Sequence, residues 1–162
     1  MQKVIVIGCS GAGKSTFSRK LAAKTGLALV HLDRIWHKAD KTHITREAFD
    51  ARLAEILRTD AWILDGDYSR TMETRLAACD TVFFFDLPLA DCLAGVENRI
   101  GKDRPDMPWV ETEFDPAFRA WMETFSTEKT PATYALLDKY RAGREIVIFK
   151  SRDEADAYLA RL

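Results

Sequence analysis

The chain has 162 residues, of which 47% are hydrophobic, and this composition is sufficient for one globular domain with a sizeable core. Its 24 Lys and Arg residues nearly balance its 25 Asp and Glu residues, which excludes the strong basic field that proteins use to bind nucleic acid or anionic lipid. We therefore expect a single domain over residues 1–162, a monomer or homodimer, that binds small molecules and neither nucleic acid nor a membrane.

Five short apolar runs predict β-strands, and the longer stretches between them have helical spacing. The runs cover residues 3–7, 29–32, 61–64, 81–85 and 145–149. Several of them are apolar continuously rather than alternately, which is typical of strands that crossover helices bury on both faces. The sequence thus predicts an α/β fold in which helices enclose a parallel sheet.

The first strand leads into a loop with the spacing of a nucleotide-binding P-loop, GxxxxGKS, and a helical stretch follows over residues 14–24. Glycines allow consecutive backbone N–H groups to point at phosphate oxygens, and the helix N-terminus adds a favourable dipole. Lys14 would reach the β- and γ-phosphates, and the Ser15 hydroxyl would be a ligand of Mg²⁺. The predicted ATP-binding residues of this loop are Gly8, Ser10, Gly11, Ala12, Gly13, Lys14, Ser15 and Thr16.

Aspartates follow three of the predicted strands, namely Asp33, Asp65 and Asp86. Ligands of open α/β sheets bind beyond the carboxyl ends of the strands, so these positions are candidates for the site. A carboxylate beside a P-loop either holds Mg²⁺ or accepts a proton from an attacking hydroxyl. We expect Asp65 on the metal side and Asp33 on the substrate side. The alternative for each is an aspartate that caps a turn, and we favour it for Asp86.

Arginines near mobile segments are candidates for stabilising a transferred phosphoryl group, because their planar guanidinium binds phosphate in a bidentate manner. Arg70 follows the third strand, Arg99 ends a helical stretch, and Arg104 lies in the insert that follows it. This insert, at about residues 101–114, contains two prolines and alternating charges, which favours a functional loop or a lid. A solvated surface position is the alternative for each arginine.

Two Pro-containing pairs and one Ser-x-x-Glu sequence predict helix starts. Asp115–Pro116 and Thr130–Pro131 each combine an N-cap residue with proline at the first helical position, and Ser151 with Glu154 has capping-box spacing. His31 has no partner pattern for metal or acid-base chemistry, so we expect it to be structural or at the surface.

The three cysteines show neither paired spacing nor the pattern of a zinc site. Free thiols favour a reducing compartment. The apolar run after Met1 is too short for the hydrophobic region of a signal peptide, and no stretch reaches membrane-spanning length. We therefore expect a cytoplasmic protein.

The chain as a whole resembles adenylate-kinase-like P-loop kinases of the topology modulation protein family. The matching segments are the P-loop, residues 31–33 with Trp36, and residues 62–68, 85–88 and 104–107. The resemblance implies a three-layer P-loop NTPase fold, nucleoside-monophosphate-kinase-like, with a five-stranded parallel sheet in the order 2-3-1-4-5 and a short lid. It also implies that Asp65 lies beside the P-loop, that Arg99 and Arg104 close over the phosphates, and that Arg152 flanks the adenine.

The sequence departs from true adenylate kinases after the third strand, where residues 67–70 lack their Pro-Arg pair, so an AMP acceptor is not implied. The leading hypothesis is an ATP- and Mg²⁺-dependent phosphotransferase that acts on a nucleotide, nucleoside or other small acceptor. A non-catalytic ATP-binding regulator, including one with a role in DNA topology, and a simple ATPase are the alternatives. The predicted catalytic residues are Lys14, Arg99, Arg104 and Asp33, and the predicted acceptor-binding residues are Asp33, Arg34, Trp36, Tyr68 and Arg70.

Overall fold

A computed structural model describes all residues from Met1 to Leu162, and its centre is one sheet of five parallel strands. The strands lie in the order β2-β3-β1-β4-β5. Their bounds are β1 Lys3–Gly8, β2 Leu29–His31, β3 Trp62–Asp65, β4 Thr81–Phe85 and β5 Glu145–Phe149. The predicted fold class and strand order are therefore confirmed, and each predicted strand end lies within one residue of the observed one.

Helices cover both faces of this sheet, which gives the predicted three layers. Their bounds are α1 Lys14–Thr25, α2 Leu32–Trp36, α3 Arg46–Leu57, α4 Met72–Ala78, α5 Leu89–Arg99, α6 Pro116–Lys139 and α7 Arg152–Arg161, with a 3-10 turn at Ser69–Thr71. None of these helices is both long enough and apolar enough to cross a membrane.

Alternate residues of β1 belong to two separate hydrophobic clusters, one on each face of the sheet. Val4 and Val6 pack with residues of α1, α5 and α7, whereas Ile5 and Ile7 pack with residues of α3 and α4. All four side chains are fully buried because β1 lies between β3 and β4. The apolar pattern of this strand follows from burial on both sides.

Two of the three predicted helix starts are confirmed. The Asp115 carboxylate accepts a hydrogen bond of 2.8 Å from the Ala117 N–H and begins α6. At α7, the Ser151 hydroxyl oxygen accepts a bond of 3.2 Å from the Glu154 N–H. The Glu154 carboxylate accepts in turn from the Lys150 N–H at 2.7 Å, one residue before the N-cap.

The helix start predicted at Thr130–Pro131 is wrong, because Pro131 lies inside α6. A single continuous helix places Phe125 in the hydrophobic cluster on one face of the sheet and Leu137 in the cluster on the other. Ending the helix at residue 130 would separate these two anchors. The gain from burying both exceeds the cost of the backbone hydrogen bond that the proline cannot donate.

Replacing Pro131 with Ala is expected to stabilise the protein by about 1 to 2 kcal/mol, because it restores the missing N–H donor inside α6 at an exposed position. Urea unfolding followed by circular dichroism would measure the change. The control is Pro116→Ala at the first residue of α6, where the N–H has no helical acceptor. Equal effects of the two substitutions would contradict this account.

Candidate functional site

A cavity of about 580 Å³ opens at the carboxyl edge of the sheet, between the P-loop, the loop that follows β3 and the segment over residues 101–114, which we call the lid segment. We call this space the phosphate cavity. The structure brings most of the sequence-predicted site residues to its wall. They are Gly8, Ser10, Gly11, Gly13, Lys14, Ser15, Thr16, Asp33, Asp65, Tyr68, Arg99 and Arg104.

The P-loop packs backbone against backbone on its neighbours, which explains two of its glycines. A Cβ atom on Gly8 would lie 2.4 Å from the Phe85 carbonyl oxygen, and one on Gly11 would lie 2.1 Å from the Cys92 carbonyl oxygen. Both glycines also have positive φ, 133° and 77° respectively. The loop is thereby held between β4 and α5, and the Lys14 Nζ donates to the Cys9 carbonyl oxygen at 2.7 Å.

Asp67 links the P-loop to the loop after β3, a role that the sequence did not predict. Its Oδ1 accepts a hydrogen bond of 3.0 Å from the Gly8 N–H. Burial raises the pKa of this carboxyl group, while the positive charge of Lys14 acts in the opposite direction. The available signal was its position two residues after Asp65, in the same strand-end segment.

Arg75 fixes the shape of the same loop from below. It is fully buried on α4, and its guanidinium donates to the carbonyl oxygens of Gly66 at 2.8 Å, Tyr68 at 2.9 Å, and Asp67. Burial lowers its pKa to about 10, so it remains charged at neutral pH. Three backbone acceptors thus depend on one side chain.

Asp65 is held by a partner on the adjacent strand. His31 and Asp65 face each other in the register of β2 and β3, and the His31 Nδ1 lies 2.6 Å from the Asp65 Oδ2. The second carboxylate oxygen, Oδ1, is buried without a hydrogen-bond partner, although Asp65 lines the phosphate cavity. The structural role expected for His31 thus includes orienting this carboxylate.

A carboxylate and a hydroxyl group that line the same cavity fit a hard cation such as Mg²⁺, which prefers oxygen ligands. Asp65 supplies the first group, and Ser15 supplies the second. The Ser15 hydroxyl donates to the Asp106 Oδ2 at 3.3 Å. The chain contains no group of three or more His, Cys, Asp or Glu side chains placed to hold a metal, so an ion here would take its remaining ligands from phosphate and water.

The two predicted lid arginines converge on one carboxylate. Arg99 contacts both oxygens of Glu111, at 3.2 Å from Nε and 3.1 Å from Nη2, and the Arg104 Nη2 lies 3.1 Å from Oε1. Arg104 also lies 3.5 Å from the buried Asp106. Burial, together with the charge of Arg104, lowers the pKa of Arg99. Phosphate that binds these arginines therefore competes with Glu111.

Asp33 and Tyr68, two of the predicted acceptor-binding residues, lie together on the cavity wall. The Tyr68 hydroxyl donates to the Asp33 Oδ1 at 2.7 Å. Loss of solvent raises the pKa of Asp33; the bond from Tyr68 acts against this shift, and the charge of Asp65 adds to it. Asp33 is thus a carboxylate with increased basicity that faces the cavity.

Five predicted site residues lie off the phosphate cavity. Ala12 is buried in the core, Trp36 stacks on His43 at a ring distance of 4.4 Å, and the exposed Arg70 pairs with Asp50. The other two are Arg34 and Arg152, and both donate to backbone carbonyls. The acceptors of Arg34 are Pro105 at 3.0 Å and Met107 at 3.4 Å in the lid segment, and those of Arg152 are Gly11 at 2.7 Å and Asp91 at 2.8 Å.

Comparison with known proteins gives a match at the level of the fold. No family model matches the chain, and no curated protein matches it in sequence. Shikimate kinase from Acinetobacter baumannii in complex with shikimate has a TM-score of 0.62 and 18% identity, over 99% of this chain and 92% of that chain. Shikimate kinase from Bacteroides thetaiotaomicron has a TM-score of 0.61 and 15% identity, over 98% and 94% of the respective chains.

A gluconokinase from Sinorhizobium meliloti 1021 is also similar in structure, with a TM-score of 0.56 and 16% identity over 99% of this chain and 92% of that chain. The fold of the chain is therefore that of P-loop kinases. The topology modulation protein family is not shown by these similarities, so the family resemblance remains a prediction.

Replacing Arg75 with Met is expected to destabilise the protein by about 3 kcal/mol, because three carbonyl oxygens that are buried or half-buried lose their donor. The exposed Arg70→Met serves as the control, since its pair with Asp50 is solvated, and it should leave the free energy of unfolding close to that of the unchanged protein. Urea unfolding measures both. Near wild-type stability of the Arg75 variant would contradict the assigned role.

Proposed function

We propose that the protein is an ATP- and Mg²⁺-dependent kinase that transfers the γ-phosphoryl group to a hydroxyl group of a small acceptor. The observation that carries the proposal is the lining of one cavity, which combines P-loop, carboxylates and arginines. The fold that the chain shares with shikimate kinase and gluconokinase structures supports the same reaction class. Each required role has a candidate side chain within this space.

The P-loop would bind the phosphates of ATP through its backbone N–H groups and Lys14. In the structure Lys14 is satisfied by the Cys9 carbonyl oxygen at 2.7 Å, so its ammonium group is already held above the loop. On nucleotide binding this group would exchange a neutral acceptor for charged phosphate oxygens, which form stronger hydrogen bonds. Arg152 would support the loop by its bond to Gly11.

Ser15 and Asp65 would hold Mg²⁺, which when bound neutralises charge that develops on the β- and γ-phosphates. His31 occupies one oxygen of Asp65, and the other oxygen is buried without a hydrogen-bond partner. This arrangement fixes the orientation of the carboxylate before ligand binds.

Asp33 would accept the proton of the attacking hydroxyl group, and its raised pKa suits a general base. Tyr68 orients this carboxylate by its hydrogen bond. Arg99 and Arg104 would stabilise the transferred group from the lid side, and the lid segment would exclude water from the reaction.

A cytoplasmic location is part of the proposal. Cys9, Cys79 and Cys92 are free and buried, and unpaired thiols suit a reducing compartment.

ATP consumption with Mg²⁺ across a panel of nucleosides, nucleotides and small polyols, against acceptor-free controls, tests the function. A rate that depends on the acceptor supports a kinase. ATP binding without turnover on any acceptor favours the regulatory alternative. A rate of ATP consumption that is the same with and without an acceptor favours a simple ATPase.

The Lys14→Ala substitution is expected to lower the phosphoryl-transfer rate by roughly 10²-fold or more, because it removes a cation that acts on the transferring group. Lys20→Ala is the matched control, since Lys20 lies on the exposed side of the same helix and pairs with Asp156. Circular dichroism verifies that both variants fold. A folded Lys14 variant with an unchanged rate would refute the proposed site.

The rate is expected to fall as the pH decreases through the raised pKa of Asp33, because only the ionised carboxylate accepts a proton. Since the Tyr68 hydrogen bond lowers this pKa, Tyr68→Phe should move the acid limb of kcat/KM to higher pH. Tyr140→Phe, which alters a tyrosine that contacts the exposed Glu73, is the control and should leave the limb in place. A limb that does not move in Tyr68→Phe would assign the base elsewhere.

A further inference from the structure

The charged groups of the phosphate cavity are divided between its walls. The cations lie on α1, at the end of α5 and in the lid segment, and they are Lys14, Arg19, Arg99, Lys102 and Arg104. The lid segment also contributes two carboxylates, Asp103 and Asp106, and Asp106 pairs with Arg104. The wall that follows β2 and β3 presents Asp33, Asp65 and Asp67, together with the hydroxyl groups of Tyr68 and Ser69. We call this the acceptor wall, because the predicted acceptor-binding residues Asp33 and Tyr68 lie on it. It carries three carboxylates and no cation of its own.

The arginines closest in sequence to this wall are all occupied elsewhere. Arg75 is buried beneath it and donates to three backbone carbonyl oxygens. Arg34 donates to the lid segment, and Arg70 pairs with Asp50 at 2.6 Å on the exposed side of the loop. None of the three guanidinium groups lines the cavity.

The cavity next to the phosphate cavity is also lined by several carboxylates. A second cavity of about 450 Å³ lies under the lid segment, shares Asp33 with the first, and adds Glu111, Glu113 and Asp115. Its cations are the two arginines that pair with Glu111 and one exposed lysine, Lys41. Burial lowers the pKa of His37, which also lines this space, so the imidazole is neutral at neutral pH.

From this distribution we infer that the acceptor is a neutral or cationic hydroxyl compound, such as a polyol or an amino-polyol, and that carboxylates and phosphate monoesters are disfavoured. The inference rests on the proposed kinase function and specifies its substrate class. An anionic acceptor would bring a second negative charge against Asp33 and Asp67 without a guanidinium group on the same wall, since Arg99 and Arg104 lie on the side of the transferred phosphoryl group. An ammonium group would be attracted to these carboxylates.

Phosphoryl transfer to such an acceptor would proceed by attack of its hydroxyl group on ATP. The hydroxyl oxygen forms a bond to the γ-phosphorus, and its proton passes to the Asp33 carboxylate. The bond between the γ-phosphorus and the β–γ bridging oxygen breaks, and ADP leaves with the electron pair. The proton transfer thus requires a carboxylate next to the reacting hydroxyl group and does not require a cation on the same wall.

Three compounds with one six-carbon skeleton and different terminal groups test the inference. Gluconate is anionic, glucitol is neutral, and glucamine is cationic. Each is titrated into the ¹⁵N-labelled protein saturated with Mg²⁺ and a non-hydrolysable ATP analogue, and the amide shifts of Gly66 and Ser69 report binding. We expect glucitol and glucamine to bind at least about tenfold more tightly than gluconate, which corresponds to about 1.4 kcal/mol.

In Asp33→Asn the ratio of the gluconate Kd to the glucamine Kd should fall by about tenfold, because one carboxylate of the wall loses its charge. Asp50→Asn removes an exposed carboxylate that lies off both cavities and should leave the ratio unchanged. Binding of gluconate as tight as that of glucamine would overturn the inference, and so would the absence of glucamine binding.

The same compounds in the phosphoryl-transfer assay separate this inference from the proposed function. Preferential turnover of gluconate would leave the kinase in place and overturn the inference about charge. The expected binding order without transfer to any of the three compounds would support the charge preference of the site and count against the proposed kinase, which the wider acceptor panel then tests.

Discussion

The parallel pairing of β1 with β3 on one side and β4 on the other is the constraint on which the site depends. In this register Val6 faces Asp65 and Gly8 faces Phe85, so the P-loop leaves the sheet directly beside the carboxyl end of β3. This placement brings Gly8 within hydrogen-bond distance of Asp67 and puts Lys14 and Asp65 on the lining of the same cavity. The full burial of Val4 to Ile7 stabilises it, because a shift in the strand would move four apolar side chains out of their clusters.

Close backbone packing and two buried or half-buried side chains together define the shape of the P-loop. Gly8 and Gly11 approach neighbouring carbonyl oxygens more closely than any side chain allows. Asp67 then fixes the first N–H group of the loop, and Arg75 fixes the backbone that carries Asp67. The loop is therefore preorganised by a chain of contacts that begins on α4, well outside the cavity.

Local signals made the fold and the phosphate loop predictable from the sequence. Continuous apolar runs indicate buried strands, and the GxxxxGKS spacing between a strand and a helix is typical of a P-loop. The pairing of His31 with Asp65 was not predictable in this way, because it depends on the register of two strands whose residues are 34 positions apart. Thr130–Pro131 shows the converse, since a sound local signal for a helix start was overridden by packing at both ends of α6. Arg34 and Arg70 could not be placed from residue type alone, because their acceptors lie on the lid segment and α3.

The bonds from Arg34 to the lid segment have a consequence for the order of events in the site. Arg34 directly follows Asp33 on the short helix α2, and its guanidinium group donates to Pro105 and Met107. The position of the Asp33 carboxylate and the observed position of the lid segment are thus linked through one peptide unit. In the proposed kinase, opening of the lid segment would release the restraint on the turn that carries Asp33, so the open site would lose both its cover and the tight placement of the proposed base. Under the proposed function, such a linkage would limit the reaction of bound nucleotide with water during the interval before an acceptor arrives.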